Sequence, residues 1–123
     1  MKLHPDASNA YAIQSYGQDG VVVNGQLQSG PLILCAVQGP NVWSANSFES
    51  LTHACFDELL TFQPELVLFG SGERIRFPAP LLLKGLFSQG IGVETMDNGA
   101  ACRTFNVLAG EGRRVLMALL PIA

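Results

Sequence analysis

Residues 64–97, PELVLFGSGERIRFPAPLLLKGLFSQGIGVETMD, hold two short apolar runs, ELVLFG and IGVETM, on either side of a stretch with a different period. A short apolar run bounded by turn residues reads as a strand buried on both faces. Between the runs, FPAPLLLKGLFSQG places Pro78 near a first helical turn and Gly90 at the close, with Leu82, Leu83, Leu86 and Phe87 as an inner stripe. A strand, a helix and a second strand in that order form a parallel pair with a right-handed crossover. The chain is therefore expected to be an α/β domain in which IGVETM is a core strand.

The remaining punctuation agrees. Asn24-Gly25 follows the valine run GVVV, and an Asn-Gly pair between β-like segments predicts an N-terminal β-hairpin. PLILCAVQGP is continuously apolar, as a central strand would be. Phe48, Leu51, Ala54, Cys55, Leu59 and Phe62 recur at helical spacing, and Asn46 with Glu49 makes a capping box at the start of that helix. NGAACRTFNVLAGEG reads as a further helix, with Ala101, Phe105 and Leu108 on one face, and RRVLMALLPI as a final strand. Trp43, in the loop GPNVWSANSF, is expected to lie as a lid over the core.

At 123 residues the chain suits one domain, 1–123, without a linker or repeat. Apolar residues form 48% of it and charged residues 14%, so its polar surface is thin and some apolar surface is expected to be covered by a protein partner or a second copy of the chain. The N-terminus MKLHPDASNA has no apolar core of a leader, and no apolar stretch approaches the ~20 residues of a membrane span. A cytoplasmic protein without membrane insertion is the expectation. Cys35, Cys55 and Cys102 are odd in number and lack metal-ligand spacing, which predicts buried reduced thiols and no metal, with Cys35 the least reactive. A net charge of −3 does not suggest nucleic acid. The charge is uneven: residues 1–73 hold one base and seven acids, residues 74–123 six bases and three acids.

Gly70-Ser71-Gly72 most resembles a functional loop, yet it meets none of the relevant specifications. A dinucleotide loop needs a third glycine where Ile75 stands, a P-loop needs Gly-Lys-Ser/Thr, and a nucleophile elbow needs G-x-S-x-G. A structural turn is the main reading. Position offers a second one, because ligands of open α/β sheets collect beyond the carboxyl ends of parallel strands. Gly70, Ser71 and Gly72 follow one such strand, and Asp97 and Asn98 follow its neighbour at the start of a helix. With Arg74 and Arg103 close in sequence, they define a candidate pocket for a small anion. On the structural reading, Asp97 or Asn98 merely caps the helix and the arginines are solvated. His53 and Cys55, two apart on a helix, do not face each other and make no pair.

The segments PNVW, PELVLFGSGERIRFP, GIGVETMD and AACRTFNVLAGEGRRVLMALLP, spanning residues 40–121, resemble a family of small α/β domains of unknown function. Its eukaryotic members include mitochondrial complex I assembly factor 3 and an adipogenesis-associated domain protein. The resemblance implies a three-layer fold whose central mixed sheet ends in a strand antiparallel to the others, and it carries no catalytic residues or cofactor. Relatives often have Thr where this chain has Asn98, which retains capping capacity but not a hydroxyl. The expected function is a non-catalytic, assembly-factor-like interaction module. The rival is an anion-binding protein or enzyme using the pocket of Gly70, Ser71, Gly72, Arg74, Asp97, Asn98 and Arg103.

Overall fold

A computed structural model describes residues 11–122, so the N-terminal segment MKLHPDASNA, on which the expectation of no leader rested, lies outside the described residues. The chain opens with β1 (Ile13–Gly17), β2 (Gly20–Val23) and β3 (Gln26–Gln28), which form a three-stranded antiparallel sheet in that order. Asn24 and Gly25 join β2 to β3 with φ of 47° and 85°, the two positive angles that a tight hairpin turn requires.

The central sheet contains β4 (Leu32–Cys35), β5 (Gly39–Val42), β6 (Leu66–Gly70), β7 (Gly92–Met96) and β8 (Val115–Leu119), in the order β5-β4-β8-β6-β7. β6 and β7 are parallel, from Leu66 opposite Gly92 to Gly70 opposite Met96, as the strand-helix-strand pattern demands. β8 is antiparallel to β4 but parallel to β6, which corrects the expectation of a last strand antiparallel to all the others. The cause is the helix between β7 and β8, which returns the chain to the end of the sheet where β7 began, so that β8 runs in the same direction.

Both faces of the inner strands β4, β6 and β8 are buried, and their side chains divide between the two faces with a period of two. Ile33, Cys35, Val67, Phe69, Leu116 and Ala118 face a layer containing Trp43, Phe56, Leu59, Leu83 and Leu86. Leu34, Leu68, Val115 and Met117 face the long helix, through Ala101, Cys102 and Phe105, and the small sheet, through Ile13, Val21 and Val23. Three layers result, as expected. Trp43 is indeed buried: its indole N–H donates to the Cys55 carbonyl at 2.9 Å, and its ring meets Phe56 and Phe69 edge-on.

The first helical layer is shorter than its periodicity implied. Helix α1 spans His53–Asp57 and continues as a 3₁₀ turn over Glu58–Phe62. Its cap is Thr52, whose hydroxyl accepts from Cys55 N–H, and not Asn46. Ser47 and Ser50 instead bond each other's backbone, the local competition that makes serine a poor helix interior. Likewise Pro80–Leu83 is a 3₁₀ turn leading into α2 (Lys84–Ser88). Of the expected stripe, Leu83 and Leu86 are buried whereas Phe87 is half exposed. β5 was not foreseen, and β7 is an edge strand rather than a core strand. The long helix α3 (Asn98–Gly110) follows β7 directly.

Candidate functional site

The loop after β6 and the start of α3 meet, as their positions in the topology dictate. Asp97 is the N-cap of α3: its Oδ1 accepts from Ala100 N–H at 2.8 Å. Asn98 is turned the other way and is buried. Its Oδ1 accepts from Gly72 N–H at 2.9 Å, its own N–H donates to Gly72 O at 2.9 Å, and its Nδ2 donates to Leu120 O at 2.8 Å. The residue after the cap thus ties α3, the glycine loop and the chain leaving β8 together.

Ser71 is equally committed. It is 1% exposed, its hydroxyl donates to Arg74 O at 2.7 Å, and its oxygen accepts from Arg76 N–H at 2.8 Å. These bonds close a tight turn, and no base stands among the hydroxyl's partners. Gly72 adopts φ +108°, a conformation that side-chain-bearing residues rarely take. Gly70 is glycine for another reason: a Cβ there would collide with the Leu119 side chain and lie 2.5 Å from Asn98 Oδ1. The loop's composition, which suggested chemistry, is explained by close approach.

Next to this junction is a cavity of about 530 Å³. Its walls come from Tyr16 and Asp19 of the first hairpin, from Gly72 and Glu73, from Gly99, and from the chain after β8. The small sheet's contribution was invisible in sequence, since nothing in Tyr16–Gly20 signals a partner some eighty residues away. The charged side chains lining the cavity are the acids Asp19 and Glu73. Arg103 is exposed and reaches the Tyr16 hydroxyl at the start of α3, with its guanidinium 6.0 Å from that ring's centre. Arg74 contributes its carbonyl to the Ser71 turn while its side chain is exposed. The structure therefore brings Gly70, Ser71, Gly72, Asp97 and Asn98 together, sets Arg103 beside Tyr16, and leaves both arginines out of the cavity wall.

Two polar anchors carry no motif and were missed. The Asn106 side-chain amide pairs with both backbone groups of Ile13, accepting at 2.9 Å and donating at 2.8 Å, which fastens the small sheet to α3. Glu65 accepts from Arg114 N–H at 2.8 Å and from Arg113 Nε at 2.9 Å, and these bonds hold its carboxyl below the usual carboxylate range. All three cysteines are free and buried. Burial pushes the Cys35 thiol up to about 11 and the Cys102 thiol up to about 12. Burial also raises Cys55, but hydrogen bonds from Thr52 and Ser44 outweigh it and bring that thiol below its ordinary value. Among the described residues no cluster of metal-ligating side chains occurs, and no helix is long and apolar enough to cross a membrane.

Comparison with known proteins supplies the relatives. The chain is 36% identical over 123 residues to NADH dehydrogenase [ubiquinone] 1 alpha subcomplex assembly factor 3 of Bos taurus, covering 97% of this chain and 65% of that protein. The Homo sapiens protein of the same name is 34% identical with the same coverage, so this chain spans about 65% of the length of these relatives. Among solved structures, a crystal structure of a Bordetella parapertussis protein superposes with a TM-score of 0.85 at 32% identity, covering 91% of this chain and 96% of that one. The profile of the family described as "Protein of unknown function (DUF498/DUF598)" matches residues 13–120, and with the fold and relatives in agreement the chain belongs to that family.

Proposed function

We propose that the protein is a non-catalytic interaction module that works in the manner of an assembly factor, holding a protein partner rather than converting a substrate. The similarity to assembly factor 3 across 97% of this chain carries the reading. The chemistry of the loop supports it. The Ser71 hydroxyl, Asp97 Oδ1 and the Asn98 amide are each bonded within the fold, so the loop that looked most like chemistry uses these groups to hold its own structure. The test is affinity purification of the tagged chain from native lysate followed by gel filtration. A stoichiometric protein partner is the expected result, and its absence overturns the reading.

A second reading keeps one observation in its favour, the cavity of about 530 Å³ beside Gly72 and Gly99. A small anion bound there would use the α3 amides, against the two acids of the lining. Titration with inorganic phosphate separates the readings, because a ligand at a hundredfold excess over its Kd stabilises by about 2.7 kcal/mol. No saturable rise in melting temperature is expected.

A further inference from the structure

β6 and β8 are parallel neighbours, and the cavity of about 530 Å³ is walled by the chain that leaves their carboxyl ends, at Gly72 and at residues 119–122. Ligands of open α/β sheets collect at such ends, and pockets of roughly 300–1,000 Å³ are the size that holds a small organic molecule. The buried side chains of Val21, Leu119 and Leu120 form the floor, and Pro121 and Ile122 extend the apolar wall. The walls are fastened from outside. Asn106 and Arg103 of α3 hold Ile13 and Tyr16 of β1, and Asn98 holds Gly72 to Leu120. A wall fixed in advance lowers the ordering cost of binding.

Three glycines of the wall leave space unfilled. Where a Cβ would stand at Gly17 or Gly30 nothing lies within 4 Å, and at Gly72 the nearest group is Pro121 O at 3.8 Å. Gly30 and Gly72, with φ of +80° and +108°, are glycine for conformational reasons. Gly17, at the end of β1, has no such angle, and a side chain there would meet no clash. The wall therefore presents bare backbone at all three places, and at Gly17 neither packing nor conformation calls for it.

The charges of the lining select the class of ligand. Asp19 and Glu73 are exposed at the mouth, and neither takes part in an ion pair among the described residues. No lysine or arginine lines the cavity, and Arg103 stands outside it with Nη1 on the Tyr16 hydroxyl. An entering anion would meet two charges of its own sign, whereas an organic cation meets two of the opposite sign. A bare metal ion is not suited, because it needs several oxygen or nitrogen ligands and no group of three candidate side chains occurs among the described residues. An apolar floor below an acidic mouth matches a molecule with an apolar body and one cationic end.

We propose that this cavity binds a small organic cation, an ammonium or amidinium compound with an aromatic or aliphatic body. The body lies against Val21, Leu119 and Leu120, and the cationic group meets Asp19 and Glu73 at the mouth. The proposal goes beyond the interaction-module reading and does not depend on it, and it reverses the sign of the ligand that the anion reading places in the same cavity.

The experiment titrates the isotopically labelled protein with phenethylamine, with phenethyl alcohol as its neutral counterpart and with hydrocinnamate as its anionic one, and follows the backbone amides. Phenethylamine is expected to saturate and to perturb residues 17–21, 28–30, 72–73 and 119–122. It should bind about tenfold more tightly than the alcohol at low salt, a gap that narrows as salt is raised. Hydrocinnamate and calcium chloride should give no saturable change at these residues. Asp19→Asn combined with Glu73→Gln, at two exposed positions, should bring the amine down to the affinity of the alcohol and leave the alcohol unchanged. Asp19→Lys with Glu73→Lys should turn the preference toward hydrocinnamate. Failure of phenethylamine to saturate, perturbation elsewhere, equal binding of amine and alcohol, tighter binding of hydrocinnamate or calcium, or a preference that survives loss of both carboxylates would each overturn the proposal.

Discussion

Asn98 and Gly72 exchange two backbone-directed hydrogen bonds, each 2.9 Å long, and the side chain of Asn98 continues to the Leu120 carbonyl at 2.8 Å. One buried amide thereby joins the ends of β6 and β8 to the start of α3. Asn98→Ala should cost about 2–4 kcal/mol in urea unfolding, because it strands a buried N–H and a buried carbonyl, each worth about 1–3 kcal/mol when left unmade. Asn98→Thr should lie between the two, since its shorter side chain does not replace both bonds. A loss below about 0.5 kcal/mol for Asn98→Ala would show that water fills the gap.

The glycine loop gives a ranking of substitutions. Gly70→Ala should be the most damaging of the three positions, because its Cβ has no room beside Leu119 and Asn98. At Gly72 space is open, with Pro121 O the nearest group at 3.8 Å, so Gly72→Ala pays for backbone conformation alone, about 1 kcal/mol or somewhat more. Ser71→Ala leaves the Arg76 N–H without its acceptor and should cost a comparable amount. Midpoints of chemical unfolding decide the order.

Alkylation by iodoacetamide at pH 8 should modify Cys55 first and Cys102 last. Thr52 and Ser44 favour the Cys55 thiolate, whereas burial disfavours ionisation at Cys35 and most strongly at Cys102, which is 1% exposed. Cys35, expected from its strand to be least reactive, falls in the middle. Both raised thiols also predict alkaline sensitivity. Their contribution is full below the unfolded value of 9.0 and is lost as pH rises toward about 11 and 12, because the unfolded chain ionises first. Cys102→Ala should flatten this decline in melting temperature.

Glu65 makes the opposite prediction in acid. Its carboxyl is held down by the Arg114 amide and by Arg113, so its contribution is present above the unfolded value of 4.5 and disappears as pH falls below that value and through the folded pKa. Glu65→Gln should lower the melting temperature at pH 7, and the gap from the wild type should close in that acid range. A gap independent of pH would mean that hydrogen-bond shape, not charge, is what Glu65 supplies.

Elements whose cause is local were readable from the sequence. Asn24-Gly25 is a turn by its own conformational preference, the runs at β4, β6 and β8 are strands because both faces are buried, and Asp97 announces α3. Elements made by their neighbours were not readable. Gly39-Pro40-Asn41 has poor strand propensity and is extended because it pairs with β4. Phe48 and Leu51 have helical spacing, yet Ser47 and Ser50 turn the chain before a helix can start. Topology placed the Gly70–Gly72 loop beside the start of α3, and the two do meet through Gly72 and Asn98. The loop's internal bonding, and the cavity wall contributed by the first hairpin, depend on tertiary contacts that no local pattern encodes.

The place of β8 between β4 and β6 also sets an order of events during synthesis. β4 and β6 do not touch as ladder neighbours; each is bonded to the strand that emerges last of the eight. Until residues 115–119 leave the ribosome, the β4–β5 hairpin and the β6–β7 pair have no shared partner, and each presents an open apolar edge. The nascent chain is therefore a set of unjoined pieces, and the final strand closes all of them in one long-range step, the kind of topology that folds slowly and tempts aggregation beforehand.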